Sequence, residues 1–176
     1  MCVIIIKHNG VKMPSKSTLK MAFMRNPHGA GFVSSNNIYW RGMDFEEFYK
    51  ALQGVGREDA CIIHFRYATH GSHKPDNCHP FKIGDIYFAH NGVLPIKTHN
   101  DMTDSETAFV DTLYPAAQEF GLDSHKFFSI VSGMIGGSKF AFMQKGEIYL
   151  FGRWYQEKGV LFSNFNFRPF YGWPTK

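Results

Sequence analysis

The sequence predicts an α+β domain built in layers, and three observations carry that expectation. Strand signals stand at both ends of the chain, in the β-branched run 2–7 and in 160–165. Helical periodicity occupies segments between them, most clearly at 104–120. The composition is rich in aromatics, with 18 Phe and 8 Tyr, which suit half-buried pleated surfaces. At 176 residues the length fits one domain, and 44% hydrophobic residues are enough for a substantial core.

The elements follow in chain order. Residues 2–7 contain three consecutive Ile and read as a buried strand that begins at the second residue, followed by the turn His8-Asn9-Gly10. Ser15 or Ser17 caps a short helix carrying Leu19, Met21, Ala22 and Phe23, which Asn26-Pro27-His28-Gly29 breaks. Residues 32–34 and 37–41 form a hairpin around Ser35-Asn36. Asp44 and Glu47 make a capping box for a helix that runs to about Gln53. Two apolar runs, 61–65 and 83–89, read as strands. Residues 95–103 are a polar loop. A helix over 104–120, with Asp104 as N-cap, stops at Gly121, and a second helix over 124–131 stops at Ser132-Gly133. A hairpin joins 139–144 to 147–152 at Lys145-Gly146. The tail from Asn166 onward carries no assignable pattern.

Several function classes are disfavoured. The net charge of +4 is spread along the chain without a Lys/Arg block, which argues against nucleic acid as a partner. No run approaches the roughly 18 apolar residues of a membrane span, and the start lacks the pattern of a secretory leader. Three cysteines without regular spacing argue against a disulfide framework and for a reducing, cytoplasmic setting. The histidines at 64, 70, 73, 79 and 90 match no standard zinc spacing, so no metal is expected. No phosphate-cradling loop is visible, and no cofactor is expected.

The chemistry concentrates in 61–92, CIIHFRYATHGSHKPDNCHPFKIGDIYFAHNG. Arg66 followed by Thr69 and His70 suits a carboxylate clamp. Asn91-Gly92 at a strand end suits a side-chain amide and a backbone N–H directed at one oxygen. The nucleophile to match them is Cys2. If Met1 is removed, its thiol lies beside a free α-amino group with an intrinsic pKa near ~7.7–8, so one residue supplies both nucleophile and base. The bland alternative is that Cys2, like Cys61, is a small buried hydrophobe.

Taken together, Cys2 after Met1, Asn26-Pro27-His28-Gly29-Ala30-Gly31-Phe32, His64-Phe65-Arg66-Tyr67-Ala68-Thr69-His70-Gly71, Asn77-Cys78-His79-Pro80, His90-Asn91-Gly92 and Thr103-Asp104-Ser105-Glu106-Thr107 resemble, in order, the motifs of class II glutamine amidotransferase domains. Among these N-terminal-nucleophile (Ntn) hydrolases, the glutaminase domain of glucosamine-6-phosphate synthase is the nearest likeness. The motifs cover roughly residues 2–110. Tyr67 stands where many relatives carry Trp, and His28 where an acidic residue is common.

The resemblance implies a four-layer α/β/β/α sandwich with two mostly antiparallel sheets. It implies one glutaminase domain over 2–176, with no fused synthase domain. It also implies roles. Cys2 attacks the side-chain amide of L-glutamine, Asn91 and Gly92 form the oxyanion hole, Arg66 holds the α-carboxylate with Tyr67, Thr69 and His70 beside it, and Asp104 accepts the α-amino group. Ammonia then passes to a separate synthetase or transferase. Two alternatives stay open: an Ntn amidase or peptidase acting on another γ-glutamyl or small amide, and a non-catalytic binding module that kept the pocket.

Overall fold

Two antiparallel sheets lie face to face between two helical layers, so each sheet is covered on both sides. The computed structural model describes residues 1–68, 74–100 and 102–168. Among these, the first sheet has the strand order β3-β2-β4-β1-β10-β9, with β1 Val3–Lys7, β2 Ala30–Ser34, β3 Tyr39–Gly42, β4 Cys61–Phe65, β9 Tyr155–Glu157 and β10 Val160–Phe162. The second is β5-β6-β7-β8, with β5 Phe81–Ile83, β6 Ile86–Asn91, β7 Lys139–Gln144 and β8 Glu147–Phe151.

The central position of β1 explains its composition. Val3 and Ile5 enter the outer core beneath helices α1 (Lys16–Arg25) and α2 (Phe45–Leu52), where they meet Leu19, Phe48 and Phe65. Ile4 and Ile6 point the other way, between the sheets, against Ala89, Ala141 and Met143 of the second sheet. Side chains alternate across a strand, so a strand covered on both faces needs a continuous apolar run rather than alternation. The second sheet is covered in turn by α3 (Asp104–Ala108), α4 (Tyr114–Phe120), the turn that joins them and α5 (His125–Ile135), through Phe109 and Leu113 of that turn and Phe127 and Val131 of α5 on Phe88, Phe140 and Phe142.

Local signals set most boundaries. The side chain of Ser15 accepts from the Thr18 N–H, Asp44 from Glu47 and Ser124 from Phe127, each satisfying an orphan donor of the helix start. Lys145 and Gly146 both take positive φ, 51° and 84°, as the tight turn between β7 and β8 demands.

Five boundaries differ from the sequence reading. The run 83–89 is not one strand: Gly84, at φ 57°, turns the chain between β5 and β6. The helix expected over 104–120 is interrupted by a π-helical turn, Phe109–Leu113, in which the Tyr114 N–H donates to the Phe109 carbonyl. Pro115 has no N–H to give the Asp111 carbonyl, and the wider turn absorbs that missing bond. The N-cap of this segment is Thr103, whose hydroxyl accepts from Glu106 N–H, rather than Asp104. Helix α5 runs past Ser132-Gly133 to Ile135 and stops at Gly136, at φ 52°. The last strand ends at Phe162, and β9 pairs with it across a Lys158-Gly159 turn that the sequence reading passed over.

Candidate active site

Register within the first sheet brings the N-terminus to the end of β4. Val3 pairs with Phe65, so Cys2 lies beside Arg66 and Tyr67. The Tyr67 backbone N–H points at Cys2 Sγ at 3.3 Å, and the thiol reaches the Tyr67 carbonyl at 3.6 Å. Packing of the two sheets then brings the end of β6 to the same place. The Asn91 side chain donates from Nδ2 to the Cys2 carbonyl at 2.6 Å, a hydrogen bond that crosses from one sheet to the other.

Cys2, Arg66, Tyr67, Gly92 and Asp104 line one cavity of about 420 Å³, within the range typical of small-molecule sites. Asn91 is buried behind it, 3% exposed. Thr69 and His70 lie outside the described residues, so their expected place at the carboxylate clamp is not tested.

Each wall is held from behind. Arg66 is tied by its backbone to the preceding turn, its N–H donating to Gly29 O at 2.8 Å and its carbonyl accepting from His28 N–H at 3.0 Å. His28 Nδ1 also accepts from the Ala68 N–H at 2.9 Å, and its ring lies 5.1 Å from that of Tyr67. The unusual His28 therefore braces the loop that carries Tyr67. A Cβ at Gly29 would overlap Cys78 Sγ and one at Gly31 the His79 carbonyl. Both glycines thus permit close packing against the Cys78-His79 segment.

Asp104 is oriented by three donors. Its Oδ2 accepts from Leu94 N–H at 2.8 Å, and its Oδ1 from the N–H and hydroxyl of Ser105 at 2.8 and 3.3 Å. A carboxylate accepts about four hydrogen bonds, which leaves acceptor capacity toward the cavity. Gly92 has φ 152°, and a Cβ there would overlap Ser138 Oγ.

Electrostatics distinguish the three thiols. Burial raises the Cys2 thiol above its ordinary value, while the Tyr67 N–H, the positive amino terminus and the Arg66 guanidinium pull it back. Burial raises Cys78 to about 11 and Cys61 further, each with opposing pulls from nearby cations. His79 and His90 in the cavity wall, and His64 packed against His79, are neutral at pH 7. Burial first, then the neighbouring positive groups, push His64 down to about 3 and His79 well below its usual range. Burial brings His90 to about 4 against an upward pull from Asp104. Among the described residues no group of three or more His, Cys, Asp or Glu is arranged to hold a metal ion.

Sequence reasoning missed two groups of residues. His79 and Ser105 line the cavity, and His90 links them: the His79 ring contacts the His90 backbone, and His90 Nδ1 meets Ser105 Oγ at 2.7 Å. Asn164 and Asn166 hold the N-terminus, with Asn164 Nδ2 donating to the Cys2 carbonyl at 2.7 Å and Asn166 Nδ2 to the Met1 carbonyl at 2.7 Å. The one local signal for the last pair was an Asn-x-Asn step directly after the final strand.

A family model described as class-II glutamine amidotransferases matches residues 52–136, just under half the chain. The matched segment contains Arg66, Asn91, Gly92 and Asp104 and starts after Cys2. No curated protein matches in sequence. Among solved structures, the chain is similar to glutamine phosphoribosylpyrophosphate (PRPP) amidotransferase from B. subtilis, solved in complex with ADP and GMP, with a TM-score of 0.60 and 17% identity. That similarity covers 92% of this chain but 41% of the other, so the chain spans about two-fifths of the length of that protein. Over residues 52–136 the chain is thus similar to the class-II glutamine amidotransferase family, and over most of its length it shares the fold of a solved amidotransferase.

Proposed function

We propose that this protein hydrolyses L-glutamine to glutamate and ammonia through a thioester on Cys2, with the ammonia consumed by a separate synthetase or transferase. The observation that carries the reading is the meeting of two sheets at one cavity: the Cys2 thiol comes from the first, and the Asn91-Gly92 strand end from the second.

In this reading the Arg66 guanidinium receives the substrate α-carboxylate through its planar fork, and Asp104 receives the α-ammonium. That pair selects a zwitterionic amino acid over a generic amide. Tyr67, Thr69 and His70 complete the carboxylate side. Once Met1 is removed, the freed α-amine takes the thiol proton and the thiolate attacks the side-chain carbonyl carbon. The C=O electron pair moves onto oxygen, where Gly92 N–H and the second Nδ2 hydrogen of Asn91 stabilise it. Among the described residues, Nδ2 spends only its first hydrogen, on Cys2 O. Collapse breaks the C–N bond, and the amine returns its proton to the departing nitrogen, which leaves as ammonia. Water then attacks the thioester, releasing glutamate and the thiol.

Removal of Met1 is the gating step. Met1 is 65% exposed, which supports access by an aminopeptidase. The test combines mass analysis of the mature N-terminus with ammonia release from L-glutamine by the wild type and by Cys2→Ala. A chain beginning at Cys2, active as wild type, silent as Cys2→Ala and labelled at Cys2 by a diazo-ketone analogue of glutamine, is expected. Glutaminase activity that survives in Cys2→Ala rejects the mechanism.

A further inference from the structure

We infer that Asn164 is a positioning residue that fixes which end of the Asn91 amide faces Cys2. This rests on the reading above, in which Asn91 supplies an oxyanion donor.

The argument starts from a group whose role is unambiguous. The backbone N–H of Asn166 can only donate, and it donates to Asn164 Oδ1 at 2.9 Å. Asn164 must therefore turn its Nδ2 the other way. There it donates twice, to the Cys2 carbonyl at 2.7 Å and to Asn91 Oδ1 at 3.1 Å. With its oxygen taken, Asn91 presents Nδ2 to the Cys2 carbonyl at 2.6 Å. A flipped Asn91 would set acceptor against acceptor on one side, Oδ1 facing the Cys2 carbonyl, and donor against donor on the other, Nδ2 facing Asn164 Nδ2. One main-chain donor thus dictates the orientation of two side-chain amides in series, and the second belongs to the proposed oxyanion hole.

Asn164 reaches this position through long-range pairing. It follows β10, which lies against β1, and the Ser163 N–H continues that pairing by donating to Ile4 O at 2.9 Å. The Ile4 N–H in turn donates to Ser163 Oγ at 2.8 Å. Asn164 does not line the cavity, so it acts through Asn91 and through the Cys2 main chain.

The test is Asn164→Asp, a near-isosteric change. Its carboxylate still accepts from the Asn166 N–H but offers only acceptors to Asn91, which rotates Nδ2 away from Cys2. Glutamine hydrolysis should fall in kcat by about 10²–10³, the loss of one oxyanion donor, with KM within about threefold. Affinity for the γ-aldehyde analogue of glutamine, whose thiol adduct carries the oxyanion, should fall in parallel, while affinity for glutamate holds. A purely structural role would move both affinities together with the unfolding midpoint. Asn164→Ala, which adds no charge and is the deciding variant if the aspartate protein does not fold, leaves the amide free to sample both orientations. Its kcat should drop on the order of tenfold or less, by the fraction of correctly oriented amide. A folded variant that keeps wild-type kcat and aldehyde affinity overturns the inference while leaving the glutaminase reading standing. A wild type that begins at Cys2 and releases no ammonia from glutamine removes both.

Discussion

Replacement of Gly92 by Ala tests the oxyanion arrangement most directly. At φ 152° an alanine is strained by about 1–3 kcal/mol before any contact is counted. Its Cβ would overlap Ser138 Oγ and lie 2.6 Å from Ser138 Cβ and 3.0 Å from His90 Nε2. Carbon atoms pack near ~3.5 Å, so the backbone at position 92 must retreat by roughly an ångström. It cannot retreat freely, because Asn91 is the last residue of β6 and pairs with Lys139 of β7. The Gly92 N–H would move with it, away from the developing oxyanion. Loss of one such donor costs about 10²–10³ in kcat, equivalent to about 2.7–4 kcal/mol. The assay is ammonia release at saturating glutamine, with thermal unfolding measured alongside. Adding Ser138→Gly removes both Ser138 contacts, whereas Ser138→Ala would keep the offending Cβ. The double variant should recover about tenfold of the lost kcat, since the φ strain and the His90 contact remain. A folded Gly92→Ala protein with kcat within about threefold of wild type would refute the assignment of this N–H. Recovery of stability by Ser138→Gly without any recovery of kcat would refute displacement as the cause.

Three further outcomes are expected. Arg66→Lys keeps the charge but loses the two-pronged geometry, a difference of about 1.5–3 kcal/mol, so KM for glutamine should rise about ten- to a hundredfold with little change in kcat; an unchanged KM would remove Arg66 from the carboxylate. Iodoacetamide should alkylate Cys2 alone in the native protein and all three cysteines in urea, because Cys61 and Cys78 are fully buried and burial raises their thiols; native modification of either by peptide mass mapping would contradict their packing. Stability should fall on the acid side: His64 titrates near 6.5 unfolded and about 3 folded, so the unfolded chain takes up a proton that the native state refuses. Its contribution is complete above pH ~6.5 and is lost progressively as pH falls toward 3. Urea midpoints at pH 7, 5 and 4 should therefore decline less steeply in His64→Leu than in wild type, and parallel slopes would argue against a neutral buried imidazole.

Much of the architecture was legible because it is written in nearest neighbours. The Ile4-Ile5-Ile6 run announces a strand buried on both faces, Ser15, Asp44 and Ser124 announce helix starts, and Lys145-Gly146 announces a tight turn. Each depends on contacts within a few residues, where residue type and periodicity decide the outcome. The spacing of the motifs around Arg66, Asn91 and Asp104 was likewise visible, and they now line or adjoin a single cavity. Where local signals competed, pattern reading failed. Thr103 and Asp104 are both good caps, and the choice fell to Thr103 because the Asp104 carboxylate is engaged by Leu94 N–H across the loop.

The residues that hold the N-terminus belong to a different category. Asn164 and Cys2 are 162 residues apart in the chain and 2.7 Å apart in space, and Asn91 joins them from the opposite sheet. Strand pairing of β10 with β1 and the stacking of one sheet on the other create that meeting, and both are driven by non-directional burial that no short stretch of sequence encodes. Residue chemistry alone determined that a thiol, a guanidinium, an amide and a carboxylate were available. Their convergence around one cavity, and the end of the Asn91 amide turned toward the Cys2 carbonyl, were decided by the fold.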